Sequence, residues 1–227
     1  MKIIKGNIFN TTKDVLVNTV NVEGYMGKGM ALECKLRFPG MFEDYKVKCM
    51  NKEFVPGHLD LYKNSKPMIL NFATKGLWRL PSKEEYLVRG LSKFNDLATS
   101  NDIKSIAFPL LGSSLGGLDK ERVIDIMLKH LEEPSKLIDI VIYDFDPRAE
   151  DKLFKVFFEK VKDFREDDFK VISNRKKTRE KLMEILGEKN INSMMQLQKV
   201  DGITENTLKS IHDFIRRNKP LQQNLNL

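Results

Sequence analysis

Residues 18–39 read NTVNVEGYMGKGMALECKLRFP, and this stretch decides the fold. The β-rich run 15–20 ends among two asparagines, Asn18 and Asn21. It passes through a loop carrying Gly24, Gly27, Lys28 and Gly29 and enters a helical pattern over 30–38. Glycines leave the backbone free to approach a ligand closely. A helix N-terminus adds unpaired N–H groups and the positive end of its dipole. Strand, glycine loop and helix in that order suit a phosphate or a diphosphate. The spacing is neither G-x-x-x-x-G-K-[ST] nor a dinucleotide G-x-G-x-x-G, which argues against a P-loop nucleoside triphosphatase and a nicotinamide dehydrogenase.

Outward from this unit the same alternation repeats. Residues 2–4, 58–63, 68–74, 105–110 and 139–145 read as strands. Residues 41–51, a segment from Ser82, 119–131 and 149–164 read as helices. In the segment from Ser82, Leu87, Leu91, Phe94 and Ala98 recur at helical spacing, which predicts one apolar face. Alternating strands and helices predict an α/β fold with a sheet covered on both faces. In such folds ligands sit at the carboxyl ends of the strands. A second loop, PLLGSSLGGLDK over 109–120, follows a strand in the same way. Two such loops can grip one diphosphate from both sides. The plainer reading is two structural turns.

The chain has 227 residues and a net charge of +7. Residues 1–169 balance at +1, with 27 Lys and Arg against 26 Asp and Glu; residues 170–227 balance at +6, with 12 against 6. A basic end on a near-neutral body suggests an anionic polymer partner, against the alternative of a solvated helical surface. Cys34 and Cys49 have no metal-type neighbours, and His58, His130 and His212 lie far apart, so no metal site and no cofactor is expected. The start MKIIKGNIF lacks the apolar core of a signal peptide, and no run is long enough to span a membrane. Together with reduced cysteines this implies a cytoplasmic location. Charge without periodicity marks 166–179 as a linker between a first domain, 1–165, and a basic helical region, 180–227.

Four ordered motifs, KGNIF, VNTVNVEGYMGKGMA, LNFATKGLWR and FPLLGSSLGGL, resemble a macrodomain, the ADP-ribose-binding module. More narrowly they resemble the DNA ADP-ribosyl glycohydrolases, the DarG-type antitoxin branch related to the terminal ADP-ribose protein glycohydrolases. The resemblance covers roughly 1–147. It implies a three-layer α/β/α fold with a mixed central sheet, followed here by a small C-terminal helical region. It implies that Asn7 and Ile8 hold the adenine, with Asn7 in place of the usual Asp and its amide oxygen able to accept from an exocyclic amine. Asn18 and Asn21 match the strand-end asparagines, Asn21 near the distal ribose. Met26, Gly27, Lys28 and Gly29 form the first ligand loop. Gly112, Ser113, Ser114, Leu115, Gly116 and Gly117 form the diphosphate loop. Tyr143 and Phe145 fall where an aromatic packs near adenine.

Lys75 separates a binder from an enzyme. Read alone it is an ordinary exposed lysine; the resemblance implies a catalytic one. An amine can attack the anomeric carbon of a ribose, or its ammonium can stabilise the departing base. The protein-directed relatives add an acid in the second loop, where this chain has Gly116. Asp119, three residues on, reads as a helix N-cap. That departure weakens a protein-glutamate substrate and leaves a DNA substrate, thymidine by the resemblance, intact. Trp78 and Arg79 could stack on a flipped base and hold a phosphate, or be a half-packed Trp beside a solvated Arg.

In the tail, Val200, Asp201, Gly202 and Ile203 followed by Leu208, Ile211 and Ile215 resemble a helix-hairpin-helix, with Thr204 in place of the second glycine. There Lys209, Arg216, Arg217 and Lys219 would supply charge for DNA backbone; a small helical cap is the alternative. Residues 220–227 read as a frayed end. The partners implied are ADP-ribose, ADP-ribosylated DNA and a cognate DNA ADP-ribosyltransferase toxin, although the tail is shorter than the partner-binding region of such antitoxins. No membrane is implied. A non-catalytic ADP-ribose reader, and a hydrolase of protein-linked or small-molecule ADP-ribose derivatives, are the competing functions.

Overall fold

A computed structural model describes residues 1–188 and 190–218. The chain divides into two compact units, Met1–Phe145 and Asp146–Leu227. Lys219 and residues 220–227 of the expected basic tail lie outside the described residues.

The first unit is built on six strands: β1 (Lys2–Gly6), β2 (Val15–Val20), β3 (Leu59–Tyr62), β4 (Met68–Ala73), β5 (Ser105–Pro109) and β6 (Asp139–Phe145). Their order across the sheet is β1-β6-β5-β2-β4-β3. Every neighbouring pair is parallel except β3 with β4, so the sheet is mixed, as expected. Four helices accompany them: α1 (Gly29–Arg37), α2 (Pro39–Met50), α3 (Glu84–Ser100) and α4 (Lys120–Leu131). Val15, Val17, Leu70, Phe72, Ile106, Phe108, Ile140 and Ile142 turn to one face. There they form a single core with Leu87, Leu91 and Phe94 of α3 and Val123, Met127 and Leu131 of α4. The period-two alternation sends Leu16, Asn18 and Val20 to the other face, where α1 meets β2 and α2.

Local chemistry sets the helix ends. Asp119 caps α4 by accepting from the Arg122 N–H, the N-cap its position suggested. Pro39 opens α2, where a missing N–H costs nothing. α3 begins at Glu84, two residues after the expected Ser82, because Lys83 is extended and serves as the N-cap; the Ser82 N–H bonds the carbonyl of Gly116.

The second unit contains α5 (Lys152–Val161), α6 (Lys176–Glu188), α7 (Met194–Leu197) and α8 (Glu205–Arg217). The buried Asp151 carboxylate accepts from the N–H groups of Leu153 and Met194. It thereby ties the start of α5 to the start of α7. That bond explains why the unit boundary falls at 145, ahead of the expected 165. The expected linker is structured: Glu166–Val171 forms a 3₁₀ turn, and Phe169, Ile172 and Arg179 are buried. The charged run hides those apolar residues, and the Arg179 guanidinium is satisfied by Glu166 and the carbonyl of Asn174. Leu208, Ile211 and Ile215, expected on a helix, form the buried face of α8 with Thr207 and His212. Among the described residues no helix is long and apolar enough to cross a membrane.

Candidate functional site

All the parallel strands present their carboxyl ends on one edge of the sheet. Along the order β1-β6-β5-β2-β4 those ends carry Asn7, then Phe145, then the loop 110–118, then the loop 21–28, then residues 74–80. Strands lie about 4.8 Å apart, so the row spans roughly 19 Å. A linear ligand of several polar units could lie along it.

At the β1 end, the Asn7 Oδ1 accepts from the Phe9 N–H at 3.0 Å and caps a 3₁₀ turn. Its Nδ2 is buried without a partner. That free donor suits a ring nitrogen of a base, while Oδ1, bonded once, keeps a second lone pair for the exocyclic amine expected of it. Ile8 is buried within that turn. Gly6 pairs with Phe145 in the sheet register, and a Cβ on Gly6 would lie 3.8 Å from the Tyr143 ring. Tyr143 is half-buried and Phe145 exposed. The predicted aromatic wall thus stands beside the predicted adenine residues.

The loop after β2 is organised by Asn21. Its Nδ2 donates to the Tyr25 carbonyl at 2.6 Å, and its Oδ1 accepts from the Glu23 N–H at 2.8 Å and the Tyr45 hydroxyl at 3.2 Å. Burial pushes the Tyr45 hydroxyl well above its ordinary pKa, so it stays a donor. Asn21 is therefore spent on the loop, where the sequence placed it near a ribose. Asn18 is fully buried: its Nδ2 donates to Asn71 Oδ1 at 3.0 Å and faces Met26 Sδ at 3.9 Å. Met26, itself buried, can offer a ligand its backbone only. Asn71 was missed from the sequence; the available signal was a lone amide in the apolar strand MILNFA. Among the described residues the N–H groups of Met26, Gly27 and Lys28 make no hydrogen bond.

The loop after β5 is shaped by close backbone packing. Gly112 and Gly117 have φ of +69° and +75°. A Cβ on Gly116 would lie 2.2 Å from the Gly112 carbonyl oxygen and 2.4 Å from Ser82 Oγ. No side chain fits there, which explains the missing acid. The Ser113 hydroxyl donates to the Leu110 carbonyl, and the Gly117 N–H to Ser114. The N–H groups of Ser114, Leu115 and Gly116 make no hydrogen bond among the described residues. Successive free N–H groups in such a turn form an anion-binding concavity.

Lys75 joins the two loops. Its backbone N–H bonds to Val20, and its ammonium donates to the Leu115 carbonyl at 2.6 Å. The Leu115 side chain in turn reaches Gly29, whose Cβ position lies 3.0 Å from Leu115 Cδ1. Burial lowers the Lys75 pKa, and no charge-pair contribution opposes it. Beyond Lys75, Trp78 meets Tyr25 with ring centroids 5.2 Å apart and planes tilted, and Arg79 is exposed.

In the second unit a turn joins α7 to α8 where the hairpin was expected. Gly202 takes φ +84°, and Thr204, standing for the second glycine, caps α8 by accepting from the Thr207 N–H. Lys209 and Arg217 are exposed, Arg216 pairs with Asp213, and the acids Asp201 and Glu205 flank the turn. Phe158, Phe164, Phe169, Met183 and Leu186 line a groove of about 480 Å³ that contains none of the predicted site residues.

Residues 17–127 match the family model described as Macro domain. The chain is 39% identical over 146 residues to a DNA ADP-ribosyl glycohydrolase of Mycobacterium tuberculosis, covering 61% of this chain and 40% of that protein. It thus spans about 40% of the length of the curated relatives it matches first. The solved macrodomain of Mycobacterium tuberculosis DarG superposes with a TM-score of 0.59 at 36% identity, covering 62% of this chain and 96% of that one. Thermosipho africanus DarTG, solved in complex with ADP-ribose, gives 0.59 at 30% identity, covering 66% and 42%.

Proposed function

We propose, from the premise that this chain belongs to the macrodomain family and within it to the DNA ADP-ribosyl glycohydrolase branch, that it removes ADP-ribose from modified bases in DNA, thymidine the first candidate, with Lys75 as the catalytic group. One observation carries the reading. The Lys75 amine is held 2.6 Å from the second glycine loop, beside the first, at the far end of a row that begins with Asn7, Tyr143 and Phe145.

The adenine lies by Asn7, Tyr143 and Phe145. The free N–H groups of 114–116 and 26–28 hold the diphosphate. The distal ribose then reaches Lys75. Nζ attacks the anomeric carbon as the glycosidic C–N bond breaks; its electron pair leaves with the base, which takes up a proton. Water then displaces the amine from the same carbon, releasing ADP-ribose and restoring the lysine. A lowered pKa supports the attack, because only the neutral amine has a lone pair. An enzyme that removes ADP-ribose from DNA requires one that adds it, so a DNA ADP-ribosyltransferase toxin is the partner this reading asks for. Lys209, Arg216 and Arg217 would add contacts to the DNA backbone.

The test is release of ADP-ribose from an ADP-ribosylated oligonucleotide by the native chain and by Lys75→Ala. Release should fall by about 10²–10⁴-fold, while calorimetric ADP-ribose affinity stays within a few-fold. Equal release by both proteins would end the catalytic role of Lys75. One observation favours a pure reader instead: among the described residues no carboxylate pairs with Lys75. ADP-ribose binding with no release from DNA, protein or small derivatives would establish that alternative.

A further inference from the structure

We infer that Tyr25 and Trp78 form the leaving-group side of the site, a platform on which the unpaired nucleobase attached to ADP-ribose stacks. This rests on the ADP-ribosyl-DNA reading above and names what that reading leaves open: which residues recognise the part of the substrate that is not ADP-ribose.

The argument starts from strand order. The row of carboxyl ends begins at β1 with Asn7 and reaches Lys75 at the end of β4. If the anomeric carbon sits at Lys75, the group leaving it lies farther along, among residues 76–80 and whatever faces them. Trp78 and Tyr25 meet there, centroids 5.2 Å apart and planes tilted by 48°. Both are 51% exposed. Large aromatic rings at the surface are ordinarily either packed down or used.

Their backbones are held by hydrogen bonds rather than by the core. The Trp78 backbone N–H donates to the Glu23 carboxylate at 2.7 Å. The Tyr25 carbonyl accepts from Asn21. The Tyr25 ring lies over Gly27, where a Cβ would come within 2.4 Å of the hydroxyl oxygen. The backbone carrying both rings is thus fixed, and the rings lie against each other and over Gly27. Lys28 and Arg79 are exposed and in no ion pair among the described residues, which leaves two cations for flanking phosphates. Aromatic faces with nearby cations fit a stacked base on a phosphate backbone. A base inside a duplex offers no face, so the substrate is a base out of its stack. A carboxylate ester of a protein side chain would gain nothing from the rings.

Trp78 is the chain's one tryptophan, so its emission reports the platform directly. Full-length Lys75→Ala protein, which spares the substrate, is titrated with ADP-ribose, with a single-stranded ADP-ribosylated oligonucleotide, and with an ADP-ribosylated peptide. The oligonucleotide should quench Trp78; ADP-ribose and the peptide should leave it near its starting value. In the Lys75→Ala background, Trp78→Ala should weaken the modified oligonucleotide by about 5- to 100-fold. Trp78→Phe should recover most of that, and both should keep ADP-ribose affinity within about twofold. Equal quenching by ADP-ribose or the peptide, no quenching by the oligonucleotide, or a Trp78→Ala protein that binds it like its parent would each overturn the platform. The two readings can fail apart. Selective quenching with no release by the native chain removes the hydrolase and keeps the platform; native release matched by Trp78→Ala removes the platform and keeps the hydrolase.

Discussion

The loop after β2 and the loop after β5 are both rich in glycine, yet they hold their shapes by opposite means. In the first, one amide side chain does the folding: Asn21 bonds Glu23, Tyr25 and Tyr45 at once. In the second, shape comes from the absence of side chains, with the Gly112 carbonyl where a Cβ of Gly116 would stand. Both leave three consecutive N–H groups unbonded. The difference teaches that the proposed role of both loops, presenting amide donors to an anion, has two failure modes. The first loop should loosen by degrees when a bond is lost. The second should have no tolerance for an added atom.

The largest effect is therefore expected at Gly116→Asp, the change that would install the acid of the protein-directed relatives. The carboxylate cannot enter without displacing Gly112 or Ser82. Overpacking of this kind costs about 1–3 kcal/mol, and a loop displaced by an ångström costs about 10²-fold in a positioned reaction. Calorimetry should show ADP-ribose affinity lost by a comparable factor. Native-like affinity in the variant would break the contrast between the loops.

Next in size is the pH response of Lys75, which the second loop holds through Leu115. Burial disfavours the ammonium, so the folded pKa lies below the ordinary lysine value of about 10.4. Below that folded pKa the neutral fraction grows about tenfold per pH unit. For a nucleophilic amine, kcat/KM should climb with a slope near one and level off before pH 10.4. A rate that falls through the same interval would mean that the ammonium is the working form.

Asn21→Ala should act more mildly, through stability. It strands the Tyr25 carbonyl and the Glu23 N–H, at about 1–3 kcal/mol for groups left unsatisfied. The loss should appear in denaturant midpoints. Asn21→Asp keeps the acceptor but sets a buried carboxylate oxygen against the Tyr25 carbonyl, so it should cost at least as much. A smaller loss than that of Asn21→Ala would mean that the bond to Tyr25 carries little of the loop's shape.

The fold was legible because its signals are local. Strands 15–20 and 139–145 and the apolar face of α3 follow from periodicity, and all appear at or near the expected bounds. Individual side-chain roles were less legible, because they depend on partners distant in sequence. Nothing near Asn7 reveals that its oxygen is used by Phe9, and nothing near Asn21 reveals Tyr45. Tyr25 carries no spacing signal; it gains meaning only when β2 and β4 lie side by side and bring it onto Trp78. The segment 166–179 misleads for a related reason: its buried Phe169 and Ile172 are outnumbered locally by the charges around them.

The smallest effect sharpens the comparison most. Ser82 touches the second loop twice: its N–H bonds the Gly116 carbonyl at 2.9 Å, and its buried Oγ has no hydrogen-bond partner among the described residues. Ser82→Ala keeps the backbone bond and deletes the orphaned hydroxyl. An unsatisfied buried polar group is unfavourable, so the variant should match the native protein or exceed it by up to about 1 kcal/mol, with ADP-ribose affinity unchanged. A several-fold loss of affinity would mean that the hydroxyl reaches the diphosphate when ligand is bound. The second loop would then depend on a side chain just as the first depends on Asn21, and the distinction between the two would reduce to where that side chain comes from.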